Sequence, residues 1–252
     1  MKRLTQFLAA LMIPSLVLTA AVDAQSGTVS VNGTHATYLA GGNTYSVAPG
    51  CGGIPGCAIP GGIAPVAIAL DPGTGRVLTF STVVGAMTFC PASTCGTTSP
   101  DGPANSLPTT NLNASGSISG IQANTSGFLA GVFLGASLPA SAPASLDFTT
   151  IGTDFLSLTP LLGQQFFIGD GLTSTSITQQ FFVPDDATML YLGIADGFGF
   201  WGDPGAYDDN AGDYRVVYAV QTTVPEPSTV LLVLAGGAIL LVMRRKAVSG
   251  TV

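Results

Sequence analysis

Five aspartates, Asp196, Asp203, Asp208, Asp209 and Asp213, fall within 18 residues, and Arg215 is the only cation close to them. Carboxylates crowded into one loop repel one another, and a hard divalent cation relieves that repulsion. Ca2+ takes about six to eight oxygens from carboxylates, amide carbonyls and backbone carbonyls, and this loop offers all three kinds. Glycines at 197, 199, 202, 205 and 212 let the backbone turn its carbonyls inward. The loop is not an EF-hand, because Tyr214 and Ala219 stand where a bidentate glutamate would follow Asp203 or Asp208. A solvated acidic hairpin loop is the competing reading. Trp201 and Tyr207 lie in the same loop and offer aromatic faces to the apolar side of a sugar. Acid–base or nucleophilic catalysis is not expected. Between the two ends of the chain there is one histidine, His35, with no lysine, no glutamate and no Gly-x-Ser-x-Gly elbow.

The elements that must position this loop read as short strands. Apolar and aromatic runs at Thr37–Leu39, Asn43–Val47, Val66–Leu70, Arg76–Phe80, Val83–Phe89, Phe128–Leu134, Gln165–Ile168, Gln179–Val183, Met189–Ala195 and Tyr214–Gln221 alternate with turn clusters. Asp71-Pro72-Gly73 and Gly169-Asp170-Gly171 are two such turns. In the last run Tyr214, Val216, Tyr218 and Val220 share one face, with Arg215 and Gln221 on the other. The pattern predicts an all-β fold, an antiparallel jelly-roll sandwich. Gly96 to Gln122 is poor in apolar residues and reads as a long functional loop or a segment covering the sandwich. Asp101 lies in it and is a candidate to approach the acidic loop.

Both ends of the chain read as addresses. Lys2 and Arg3 precede the apolar run Phe7 to Leu18, and Val22-Asp23-Ala24 supplies small residues, which predicts a signal peptide over 1–24 for signal peptidase. At the other end Pro225-Glu226-Pro227 precedes an apolar helix at 228–243 and the cations Arg244, Arg245 and Lys246. The segment between, 25–223, is one β-sandwich domain with Arg76 and Arg215 set against twelve aspartates, a net charge of −10. Nucleic acid and anionic membrane surfaces are poor partners for it. In an exported chain Cys51, Cys57, Cys90 and Cys95 are expected in disulfides, with the pairing open.

The tail 224–252 resembles the PEP-CTERM sorting signal of exported Gram-negative proteins in having a Pro-Glu-Pro motif, a short membrane helix and a basic cluster in that order. The resemblance implies recognition by a membrane-embedded exosortase, transient anchoring through the helix, cleavage near the motif, and delivery to the surface or the biofilm matrix. The acidic loop ends one strand before the motif, an arrangement expected to hold it near the membrane until cleavage.

The part from 128 to 222 resembles the calcium-dependent galactose-binding bacterial lectins. The matching pieces are 128–135 (FLAGVFLG), 165–170 (QFFIGD), 192–196 (LGIAD), 205–212 (GAYDDNAG) and the final strand. The resemblance implies calcium held by Asp196, the Ala206 carbonyl, Asp209 and Asn210, with Asp203 the rival for the first position. Asn210 is then a sugar contact, with Trp201 and Tyr207 the candidates to stack on the sugar's apolar face and packing of Trp201 against its own loop the alternative, and an exopolysaccharide is the partner. The alternative is a structural matrix protein that uses calcium for stability alone. The lectins bring histidine and glutamine from an upstream loop. This chain's only histidine, His35, lies far upstream in the sequence, so that part of the match fails.

Overall fold

The computed structural model describes residues 24–44, 62–89, 96–103 and 108–222. The expected signal peptide (apart from Ala24), all four cysteines and the sorting tail with its helix lie outside them. Residues Asp23–Thr223 form a compact unit of their own. Its strands, in chain order, are β1 (Ala24–Asn32), β2 (Val66–Ala69), β3 (Arg76–Phe89), β4 (Thr110–Leu112), β5 (Ile121–Ala123), β6 (Leu129–Leu134) and β7 (Leu146–Asp147). They continue with β8 (Ser157–Leu158), β9 (Gln165–Phe167), β10 (Gln180–Phe182), β11 (Met189–Ile194), β12 (Trp201–Gly202) and β13 (Asn210–Thr222).

The architecture is all-β and sandwich-like. One sheet runs β1-β13-β3-β10-β8, a second β2-β11-β6-β9, and a small third β12-β4-β5-β7. Rings from the two larger sheets meet between them. Phe133 stacks on Phe166 at 5.0 Å, Phe166 meets Phe181 at 5.4 Å, and Phe181 meets Phe80 edge-on at 5.6 Å and 78°. Pairs of this kind add about 0.5–1.5 kcal/mol each beyond the area they bury. The expected faces of the last strand are as read: Tyr214, Val216, Tyr218 and Val220 are buried and Arg215 is exposed.

The structure corrects several expectations. The fold is not purely antiparallel, since β8 pairs with β10, β12 with β4 and β7 with β5 in parallel. Thr37–Leu39 is no strand but the start of a 3-10 turn, Thr37–Gly42, closed by Gly41 and Gly42 at φ 62° and 77°. The two runs from Arg76 to Phe89 make one 14-residue strand. Between them the register passes from Val217↔Thr82 to Tyr218↔Phe80, so Ser81 is the extra residue of a bulge. Towards the end of the Gly96–Gln122 stretch, β4 pairs over three residues with β5, which runs on to Ala123.

Tyr214 ties the last strand to the 97–102 stretch. Its hydroxyl donates to the Ser99 carbonyl at 2.8 Å, with the Gly127 carbonyl 3.2 Å away. Burial, helped by the negative charge of Asp101, pushes its pKa from 10.0 up to about 12. A folded-state pKa above the unfolded value gives stability that is fully present below pH 10 and lost as the pH rises through about 12. We expect alkaline unfolding in that window, with about 2–3 kcal/mol of the loss from this residue. A circular-dichroism pH titration in which Tyr214→Phe leaves the alkaline transition unmoved would contradict this.

Both ends of the unit leave the same end of the β1–β13 pair, where Ala24 stands opposite Gln221.

Candidate functional site

The site forms where β11 ends and β13 begins. Asp196 follows β11 and is 2% exposed. Its Oδ1 accepts from the Gly197 N–H at 2.7 Å and its Oδ2 from the Asn210 amide at 2.8 Å. Burial pushes its carboxyl well above the usual carboxylate range, and the charges of Asp209 and Asp208 add to the shift. The wholly buried Tyr207 holds the turn: its hydroxyl donates to the Ile194 carbonyl at 2.9 Å and accepts from the Asp196 N–H at 3.1 Å. Ala206, just before it, sits at φ 62° and ψ 28°, a left-handed conformation uncommon outside glycine.

Asn210 opens β13 and is 7% exposed. Its Nδ2 donates to the Gly33 carbonyl at 2.9 Å as well as to Asp196, while its Oδ1 is enclosed with no hydrogen-bond partner. A buried carbonyl oxygen left unpaired costs about 1–3 kcal/mol and asks for an explanation, an ion or a water among them. Asp209 is half-buried, and burial followed by the charge of Asp208 raises its pKa.

The five aspartates do not converge. Asp203 accepts from the Asn113 amide at 2.8 Å and Asp213 from the Ser30 hydroxyl at 3.0 Å. Among the described residues no three His, Cys, Asp or Glu side chains are grouped to hold a metal. An ion here would therefore depend on Asn210 Oδ1 and the Ala206 carbonyl beside the carboxylates of Asp196 and Asp209. Between the two rivals for the first position, Asp196 shares the neighbourhood of Asn210 and Asp209, and Asp203 is turned to Asn113.

Asp196, Ala206 and Asp209 line a cavity of about 570 Å³, with Phe89, Phe198 and Phe200 on its wall. Tyr207 is wholly buried and offers no face to a ligand, which corrects its expected stacking role. Trp201 is 60% exposed but pairs through β12 with Asn111, outside the residues that line the cavity. Asp101 does not reach the site. It accepts from the Asp170 N–H at 2.9 Å and lines a separate cavity of about 340 Å³.

The sequence reading missed the N-terminal segment. Gly33 bonds Asn210 across 177 residues, and the His35 carbonyl accepts from Ile194 N at 2.8 Å. His35, distant in sequence, thus lies in the segment that runs beside the end of β11. The aromatic wall was missed too, although the alternation of phenylalanine with glycine in Gly197-Phe-Gly-Phe200 is a local signal for it. Asn210 and Thr222 are the two ends of the 13-residue β13, roughly 40 Å apart at strand rise, and the tail beyond lies outside the described residues.

Fold and site together define an all-β domain whose cavity, lined by Asp196 and Asp209, lies where β11 ends and β13 begins. The chain carries the PEP-CTERM protein-sorting motif at residues 223–246. It is therefore an exported protein, anchored transiently in the membrane and processed by an exosortase. No curated protein and no solved structure matches it.

Proposed function

We propose that the exported domain is a calcium-binding, carbohydrate-binding protein of lectin-like jelly-roll type, acting at the cell surface or in the exopolysaccharide matrix after its tail is cut. The observation that carries the reading is the enclosed, unpartnered Asn210 Oδ1 beside the buried Asp196. The donor set is hard oxygen throughout, which suits Ca2+ better than a soft-ligand metal. A bound ion would neutralise the carboxylates and offer open coordination positions to sugar hydroxyls. The chain's own residues fix the arrangement: Tyr207 holds the Asp196 turn, and Asn210 ties that turn to Gly33.

The test is a calcium titration of the chelated domain 23–223 followed by thermal melting. Saturation near 100 times the dissociation constant stabilises by about 2.7 kcal/mol, or roughly 5–10 °C for a domain of this size. No shift at millimolar calcium overturns the metal reading. The bond between Asn210 and Gly33 favours one second reading, in which the ion fastens the N-terminal segment to the loop and no sugar is bound.

A further inference from the structure

The cavity beside Asp196 is lined by two chemically different kinds of residue. Asp196 and Asp209 supply its carboxylates, Phe89, Phe198, Phe200, Pro103 and Pro108 supply most of its apolar lining, and Thr97, Thr98 and Ser126 add hydroxyl-bearing residues. Among its described lining residues there is no lysine, arginine or histidine, so nothing there pairs with an anionic ligand.

The aromatic lining is built at a conformational cost. Phe200 stands at φ 59°, where a bulky residue is a genuine outlier, and such strain costs on the order of 1–3 kcal/mol. In that conformation its ring is buried and meets Phe89 edge-on at 5.5 Å and 73°. Phe198, two residues earlier, keeps 55% of its surface exposed while lining the cavity. An exposed phenylalanine on a cavity wall is unspent apolar contact surface.

The volume, about 570 Å³, falls in the roughly 300–1,000 Å³ range of cavities that enclose a whole small molecule. A pyranose whose hydroxyls meet Asp196 and Asp209 leaves the phenylalanine and proline lining without an apolar partner. We propose, on the basis of the carbohydrate reading above, that the ligand is a sugar bearing an apolar substituent, an acyl or aryl group. Its hydroxyls meet Asp196 and Asp209, and its substituent lies against Phe198 and Phe200.

The experiment compares the methyl and phenyl glycosides of galactose, glucose and mannose, titrated calorimetrically into the domain 23–223 in calcium, with phenol alone as a control. For the sugar that binds, the phenyl glycoside binds about tenfold more tightly than the methyl one. Phe198→Ala brings that ratio towards one. Equal affinity of the two glycosides overturns the inference and leaves the carbohydrate reading standing. No binding of any glycoside, with the calcium-induced rise in melting temperature intact, overturns the carbohydrate reading itself and the inference with it. Phenol binding as tightly as its glycosides, unaffected by chelator, overturns it as well, because the cavity then recognises the ring without the sugar.

Discussion

Arg76→Ala is expected to lower the melting temperature of the domain by about 6–12 °C, the largest loss from any single charged residue considered. Arg76 is 2% exposed and donates to the carbonyls of Asp71 at 2.8 Å, Pro184 at 2.7 Å and Asp185 at 3.0 Å. It therefore fastens the Asp71 turn and the Pro184–Asp185 turn to the end of β3, next to Thr222 in the register of β13. Truncation leaves those carbonyls without their charged donor and opens space where the largest fully buried side chain stood. Hydrogen bonds to charged groups contribute about 1.5–3 kcal/mol, and carbonyls left buried without a donor cost about 1–3 kcal/mol. At roughly 2–4 °C per kcal/mol for a domain of about 200 residues, the shift follows. Arg215→Ala is the control: Arg215 is exposed on β13, and its loss stays within about 0.5 kcal/mol. Differential scanning calorimetry of both variants checks the contrast, and equal small shifts would contradict it.

The second large effect is conditional. Asp196→Asn is expected to melt close to the parent in chelator and to fall behind it by about 5–10 °C in saturating calcium. Without an ion, burial opposes the charged form of Asp196, so a neutral amide of the same shape relieves that penalty. Against this, either the Gly197 N–H or the Asn210 amide loses its acceptor, at about 1 kcal/mol. With calcium, the parent alone gains. A variant that loses the same stability in both conditions would mark Asp196 as structural and remove it from the metal reading.

The sequence made much of this visible where signals were local. The alternation of Tyr214, Val216, Tyr218 and Val220 predicted a half-buried strand, and all four side chains point to the core. The strands β6, β9, β10 and β11 lie within the runs that their β-branched and aromatic residues mark. Strands β4 and β5 escaped notice because three residues each, with Thr110, Asn111 and Gln122 among them, are too few to show a period of two. Strand β1 escaped because Gln25, Ser26, Gly27 and Thr28 dilute its apolar positions at a sheet edge.

The site was legible in part, for a similar reason. Asp196, Ala206, Asp209 and Asn210 sit within 15 residues of one another, close enough in sequence to be grouped. Gly33, which bonds Asn210 across 177 residues, carries no chemistry of its own that could have marked it. Crowded charge in sequence was also misleading: Asp203 and Asp213 are turned to Asn113 and Ser30 by contacts that only the fold creates.

The most direct measurement is a glycan array probed with the purified domain 23–223 in calcium and again in chelator. Binding to a set of glycans that disappears in chelator, and disappears equally in Asn210→Ala, is the predicted result. Binding that persists in chelator, or an array blank in both conditions, would contradict a calcium-dependent sugar site at Asp196 and Asn210.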